Sequence, residues 1–193
     1  MTKSIKLVGV GGQGTILAAK ILSLGLIEAG YDVKMSEIHG MSQRGGSVSS
    51  EVRYGDKVYS PVIEKGGADI LVAFELMEAS RYVDYLKEDS IVIINDVKIN
   101  SMVTLNGKVP YPTGIYESIS KKVKTYMFNG TDMAIELGNF KVMNMILVGA
   151  LVKAMKLQHV DFKQIIRESV KEKFIDINLL AFDLGLNQIK DNN

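Results

Sequence analysis

No cysteine occurs in the 193 residues of this chain. It therefore supplies no thiolate to an iron–sulfur cluster or a zinc ribbon, and it forms no disulfide. Any redox centre working with it is an organic cofactor or belongs to a partner. Histidine is nearly as scarce. His39 and His159 are the only two, too few for a His-rich metal site. Tryptophan is absent. No apolar run reaches the ~18 residues that cross a bilayer, and the opening Met-Thr-Lys-Ser has no signal-peptide pattern. A net charge of +1 gives no global field that would favour nucleic acid or an anionic membrane. The expectation is a cytoplasmic protein that binds neither.

What is present suits one domain over residues 1–193, because 47% hydrophobic and 23% charged residues are ordinary for a globular fold. Ile5 to Val10 reads as a buried strand, Thr15 to Ala29 as a helix stopped at Gly30, and Tyr31 to Ile38 as a second strand. This opens like a doubly wound α/β fold. The pattern then changes. Ser47 to Tyr54 and Lys57 to Val62 read as extended, with Gly55-Asp56 as a hairpin turn between them. The α/β pattern resumes with a strand at Ala68 to Phe74, a helix at Glu75 to Leu86 and a strand at Ile91 to Ile94. An amphipathic helix at Thr113 to Lys124 and a strand at Thr125 to Phe128 follow. The last third is helical: Phe140 to Lys156 is apolar nearly all round, Asp161 caps a helix from Phe162, and Leu179 to Ile189 closes the chain. The expected fold is a Rossmann-like, mostly parallel sheet with an antiparallel hairpin insertion and a helical C-terminal third.

Two loops carry the candidate chemistry. Gly9-Val10-Gly11-Gly12-Gln13-Gly14 fits G-x-G-x-x-G between strand and helix. Gly9 permits the tight turn, Gly11 the close approach of a phosphate, and Gly14 the packing of helix on strand. Free N–H groups at the helix start favour an anion. The same glycines also serve a βα turn that binds nothing. Glu37 ends the second strand 23 residues after Gly14, near the spacing of a ribose-binding acid, but because a hairpin follows it rather than a helix, a surface carboxylate or a partner of Arg44 is the favoured reading. Gln43, Arg44, Gly45, Gly46 and Ser47 form the second loop. Arg44 offers a rigid fork for phosphate or carboxylate, and the glycines expose backbone N–H groups. His39 could act as an acid–base group but lacks an evident carboxylate relay. The polar residues after each strand, Glu75, Asn95-Asp96 and Asn129-Gly130-Thr131 among them, should share one sheet edge. No catalytic residue is assigned, and no set of metal ligands.

The glycine turn taken with Glu37-Ile38-His39-Gly40-Met41-Ser42-Gln43-Arg44-Gly45-Gly46-Ser47 closely resembles the gamma-type subunits of 2-oxoacid:ferredoxin oxidoreductases. Within them it looks most like the small-subunit branch of the indolepyruvate enzymes. Val58-Tyr59-Ser60-Pro61, the run Ala68 to Glu75, and Asn139 and Asn144 match as well. The resemblance implies oxidative decarboxylation of indolepyruvate or another aryl pyruvate to an acyl-CoA. It also implies thiamine diphosphate and Fe-S clusters in a large partner subunit, ferredoxin as acceptor and coenzyme A as co-substrate. This chain would hold none of these centres by itself, would be inactive alone, and could pair with a second copy when isolated. The glycine turn, Glu37 and the Gln43–Gly46 loop would then be its cofactor-binding face. The alternatives are a stand-alone NAD(P)- or FAD-binding protein and a small ligand sensor.

Overall fold

The computed structural model describes residues 2–39 and 45–190. Its sheet has six strands in the order β2-β3-β1-β4-β5-β6. These are β1 (Lys3–Val10), β2 (Asp32–His39), β3 (Ser47–Gly55), β4 (Ala68–Ala73), β5 (Leu86–Asn95) and β6 (Lys124–Phe128). β1, β4, β5 and β6 run parallel. β3 is antiparallel to both its neighbours, β1 and β2. The antiparallel hairpin is therefore made by β2 and β3, and it enters the sheet with β3 innermost.

That arrangement corrects the expected pairing of Ser47–Tyr54 with Lys57–Val62. β3 has both edges occupied, one by β1 and one by β2, so no ladder is left for a third strand. Residues 57–62 instead form a strap fixed by side chains. Asp32 Oδ2 accepts from the Val58 N–H (2.9 Å), and Arg53 Nη1 donates to the carbonyls of Ser60 (3.2 Å) and Val62 (3.1 Å). Under the strap lies a buried ion pair, Lys6 with Glu51, joining β1 to β3. Lys6 Nζ also sits 4.2 Å from the centroid of the Tyr85 ring, and Glu51 Oε2 accepts from the Ile63 N–H (3.1 Å). Both charges are thus satisfied out of water, the condition under which buried ions are tolerated.

Helices cover both faces. On one lie α1 (Thr15–Glu28), α6 (Met143–Ala154), α7 (Phe162–Ser169) and α8 (Ile175–Leu186), packed over Ile5, Leu7, Val72 and Ile93. On the other lie α2 (Leu76–Arg81) and α4 (Ile115–Ser120), packed over Val8, Leu71, Ala73 and Val92. Two further helices among the described residues are α3 (Met102–Leu105) and α5 (Gly130–Glu136). α6 is buried from Met143 to Val152, as its all-round apolar sequence requires. It crosses α8 at two glycines. A Cβ on Gly185 would lie 1.9 Å from the Ile146 carbonyl oxygen, and one on Gly149 would lie 2.1 Å from that of Phe182.

Caps set most helix ends. The Tyr31 N–H bonds the Leu26 carbonyl (3.1 Å) and the Gly30 N–H that of Ile27 (2.9 Å), which closes α1 in a Schellman motif. Asp161 caps α7 through the Gln164 N–H (3.0 Å). Several expected spans shift: the helix expected at Thr113–Lys124 is confined to Ile115–Ser120, and the strand expected at Ile91–Ile94 runs from Leu86 to Asn95. α2 ends at Arg81 rather than Leu86, and a 3-10 turn at Val83–Tyr85 leads into β5, whose Leu86 already pairs with Ala68. α5 occupies residues read only as a turn, because Asn129 caps it (3.0 Å to the Asp132 N–H). The final helix begins at Ile175 rather than Leu179.

Candidate glycine-turn site

The parallel strands bring their C-terminal ends to one edge, and β3 starts there because it runs the other way: Val10 lies opposite Ser47. α1 and α2 leave β1 and β4 toward opposite faces. The sheet thus switches direction between β1 and β4, where open α/β sheets usually bind ligands. In this protein that crevice is bridged by the Gln13 side chain. Gln13 Oε1 accepts from the Val10 N–H (2.7 Å), and Nε2 donates to the Phe74 carbonyl (2.8 Å). Asn95 Nδ2 donates to the same carbonyl (3.0 Å) and to Thr131 Oγ1 (3.0 Å). Gln13 and Asn95 tie the ends of β1, β4, β5 and α5 together.

The glycines around Gln13 have distinct duties. A Cβ on Gly9 would press within 2.9 Å of Phe74 Cβ and Gln13 Oε1, so Gly9 is required by close packing. Gly14 starts α1 in the left-handed region (φ 81°), and a Cβ there would meet Asn144 Nδ2 at 2.5 Å. The element packed against it is α6, where the strand was expected. The Gly11 N–H bonds the Gly46 carbonyl (2.8 Å), and the Gly45 N–H returns to the Gly11 carbonyl (3.4 Å). The second loop is thereby held against the first. Gln43 and Arg44 lie outside the described residues, as does the side chain of His39.

Two cavities flank the turn and share Gly12 and Gly14. The first, about 370 Å³, is lined by Gly11, Gly12, Thr15, Ile16, Glu37 and Val48. It brings Glu37 to the glycine turn and to the first-turn N–H groups of α1, which have no partner within the helix. The second, also about 370 Å³, lies on the α6 side, between Gln13, Val97, Thr131, Phe140 and Asn144.

Beside the site sits a buried acidic pair that the sequence did not announce. Glu75 caps α2 through the Glu78 N–H (3.0 Å) and accepts from the Ile99 N–H (3.0 Å) and the Tyr111 hydroxyl. Glu78 accepts from the Ser47 hydroxyl at the start of β3 and pairs with Arg81 Nε (3.2 Å). Burial pushes the Glu78 carboxyl above its ordinary range against the opposing pull of Ser47 and Arg81, and the Glu75 charge adds to the rise. Burial and then the bond to Glu75 raise the Tyr111 phenol. Only Glu75 was singled out from its place after a strand. The partners Tyr111 and Ser47 are more than 30 residues away from the acids they meet, so no local pattern marks them.

Residues 4–188 match the pyruvate ferredoxin/flavodoxin oxidoreductase family. The chain belongs to that family. It is 40% identical to the indolepyruvate oxidoreductase subunit IorB of Pyrococcus horikoshii, over 97% of this chain and 96% of that one. It is 30% identical to the 2-oxoglutarate synthase subunit KorC of Methanocaldococcus jannaschii, over 99% and 96%. Among solved structures it matches the gamma subunit of a keto/oxoacid ferredoxin oxidoreductase from Geobacter sulfurreducens, with a TM-score of 0.71, 26% identity, and 96% and 97% of the two chains covered. Within the pyruvate ferredoxin/flavodoxin oxidoreductase family it is thus a gamma-type small subunit of a 2-oxoacid:ferredoxin oxidoreductase. The inserted β3 and the bridged crevice are how this family member differs from a plain dinucleotide-binding domain.

Proposed function

We propose that this chain is the small subunit of an indolepyruvate-type ferredoxin oxidoreductase, which converts aryl pyruvates to acyl-CoA. The higher identity to the indolepyruvate subunit than to the 2-oxoglutarate one supports the branch. In this reading the large subunit holds thiamine diphosphate and the Fe-S clusters. A chain without cysteine cannot ligate such clusters through thiolates, and the chemistry of decarboxylation and electron transfer belongs to the partner. The isolated chain is then inactive, and the working protein is a cytoplasmic heteromer.

The observation that carries a role for this chain is the first cavity, where the glycine turn and the start of α1 meet. Backbone N–H groups at a helix start suit phosphate oxygens, and Gly45 and Gly46 lie against Gly11. Coenzyme A phosphates are the anion we assign there, with Arg44, next to Gly45 in sequence, as the counter-charge. Replacing Arg44 with Ala should raise the KM for coenzyme A with kcat and assembly unchanged. An unaltered KM would remove the assignment.

A second reading has one observation in its favour: Glu37 and the glycine turn line the same cavity, as in a stand-alone NAD(P)- or FAD-binding protein. Against it, β3 separates β2 from β1. Glu37 therefore sits two strand spacings from β1, roughly 9–10 Å, where a ribose acid is normally one spacing away. Purification of the tagged chain from its native cells without oxygen separates the readings. A larger chain with Fe-S absorbance and indolepyruvate-dependent ferredoxin reduction is expected. A small, colourless species that binds a dinucleotide would overturn the subunit reading.

A further inference from the structure

Helix α1 is apolar on the side that faces away from the sheet as well as on the side that packs against it. Its buried positions, Ala18, Ala19, Ile21, Leu22 and Leu26 among them, belong to the core. Its exposed positions are Ile16, Lys20, Leu24, Ile27 and Glu28. At about 3.6 residues per turn these share roughly one-third of the circumference, so they form one outer stripe. Three of them are large aliphatics, and Ile16 and Ile27 are 53% and 55% exposed. A surface helix normally keeps this side polar. Apolar side chains scattered singly are ordinary, whereas a stripe along a whole helix marks a contact face.

The charges on the stripe say what covers it. Lys20 and Glu28 are the only charged residues of α1, and both lie on the outer stripe. Laid antiparallel on a second α1, with a two-fold axis between Leu24 and Ile27, the stripe meets its own complement. Leu24 packs on the second copy's Ile27, and the stem of Lys20 runs along the apolar seam with its ammonium at the edge. There each Lys20 reaches the other copy's Glu28. Both ion pairs form together, because a two-fold interface uses the same patch twice. A parallel arrangement would set Lys20 against Lys20 and Glu28 against Glu28. A face shaped for an unlike partner has no reason to match itself in this way.

We propose that the outer stripe of α1 is a two-fold dimerisation surface, occupied by α1 of a second copy of this chain. Ile16, at one end of the stripe, also lines the first cavity, so the dimer sets one such cavity at each end of its seam. The helix has 14 residues and is about 21 Å long. Two such stripes bury on the order of 1,000 Å² in total, the lower bound for a specific interface. The dimer is therefore weak, with a Kd on the order of 10 µM.

Sedimentation of the full purified chain in low salt tests this. The mass should rise from one chain toward two between about 1 and 100 µM. Leu24→Glu, at an exposed position, should keep the chain monomeric with its Tm unchanged. Lys20→Glu sets acid against acid across the seam, and Glu28→Lys sets base against base. Each alone should weaken self-association about tenfold, since two exposed ion pairs become two repulsions. Mixed in equal amounts, these two variants should dimerise with each other as tightly as the unaltered chain does, because every acid then faces a base. An unaltered chain that stays monomeric throughout that range overturns the proposal. So does a dimer that survives Leu24→Glu, or a failure of the two charge variants to rescue one another. Each of these outcomes is independent of whether a larger chain co-purifies.

Discussion

Gln13 shows how a residue in a familiar motif can serve the frame rather than a ligand. Its amide satisfies a donor on β1 and an acceptor on β4 at once. Gln13→Leu leaves the Val10 N–H without that partner and should cost roughly 2–3 kcal/mol in a denaturant titration, since a buried unpaired group costs about 1–3 kcal/mol. Unchanged stability with an altered KM would mean that Gln13 acts on a ligand instead. Glu78 has a different signature. Its pKa is raised on folding, so the folded chain holds this proton more tightly than the unfolded chain. Its contribution is fully present below the ordinary glutamate value of 4.5 and is lost as pH rises through the raised value. Glu78→Gln should abolish that decline. Thermal melts from pH 4 to 7 should show the variant gaining on the unaltered protein as pH rises; a constant gap would refute it.

At the level of elements, the α6–α8 crossing depends on two absent side chains. Gly185→Ala places a methyl against the Ile146 carbonyl. Backbone on both sides must separate, at a cost of about 3 kcal/mol, the upper part of the usual range for overpacking. A Tm equal to that of the unaltered chain would show that the helices slide freely. The sequence makes β1, the glycine turn and α1 legible because their constraints are local: a strand run, glycines at fixed offsets and a Gly30 stop. It also reveals that an antiparallel hairpin interrupts the parallel pattern. It does not reveal which strands form it. Gly55-Asp56 has turn chemistry, but the true partner of β3 is chosen by β1, more than 40 residues back, through Lys6 and Glu51. α5 was hidden because Asn129-Gly130 looks the same as a turn and as a helix cap. Glu37 and the glycine turn, both picked out by their places after strands, line one cavity, whereas the Gln13 bridge and the Glu75–Tyr111 contact arise only from tertiary folding.

Across the whole molecule, apolar side chains remain outside on several sides: Ile16 and Ile27 on α1, Ile38 on β2, and Tyr59, 89% exposed, on the strap. The insertion of β3 has a further consequence, for the order in which the protein opens. β2 touches the rest of the sheet only through β3, so it is a terminal leaf whose loss need not disturb β1, β4 or β5. Local opening is cheapest where few contacts must break. Native-state hydrogen exchange should therefore release the β2 amides well before those of β1 and β4, and uniform protection across the sheet would show a single cooperative unit. The outer leaf could then lift and resettle while the glycine turn keeps its shape, a compliant margin on a rigid frame.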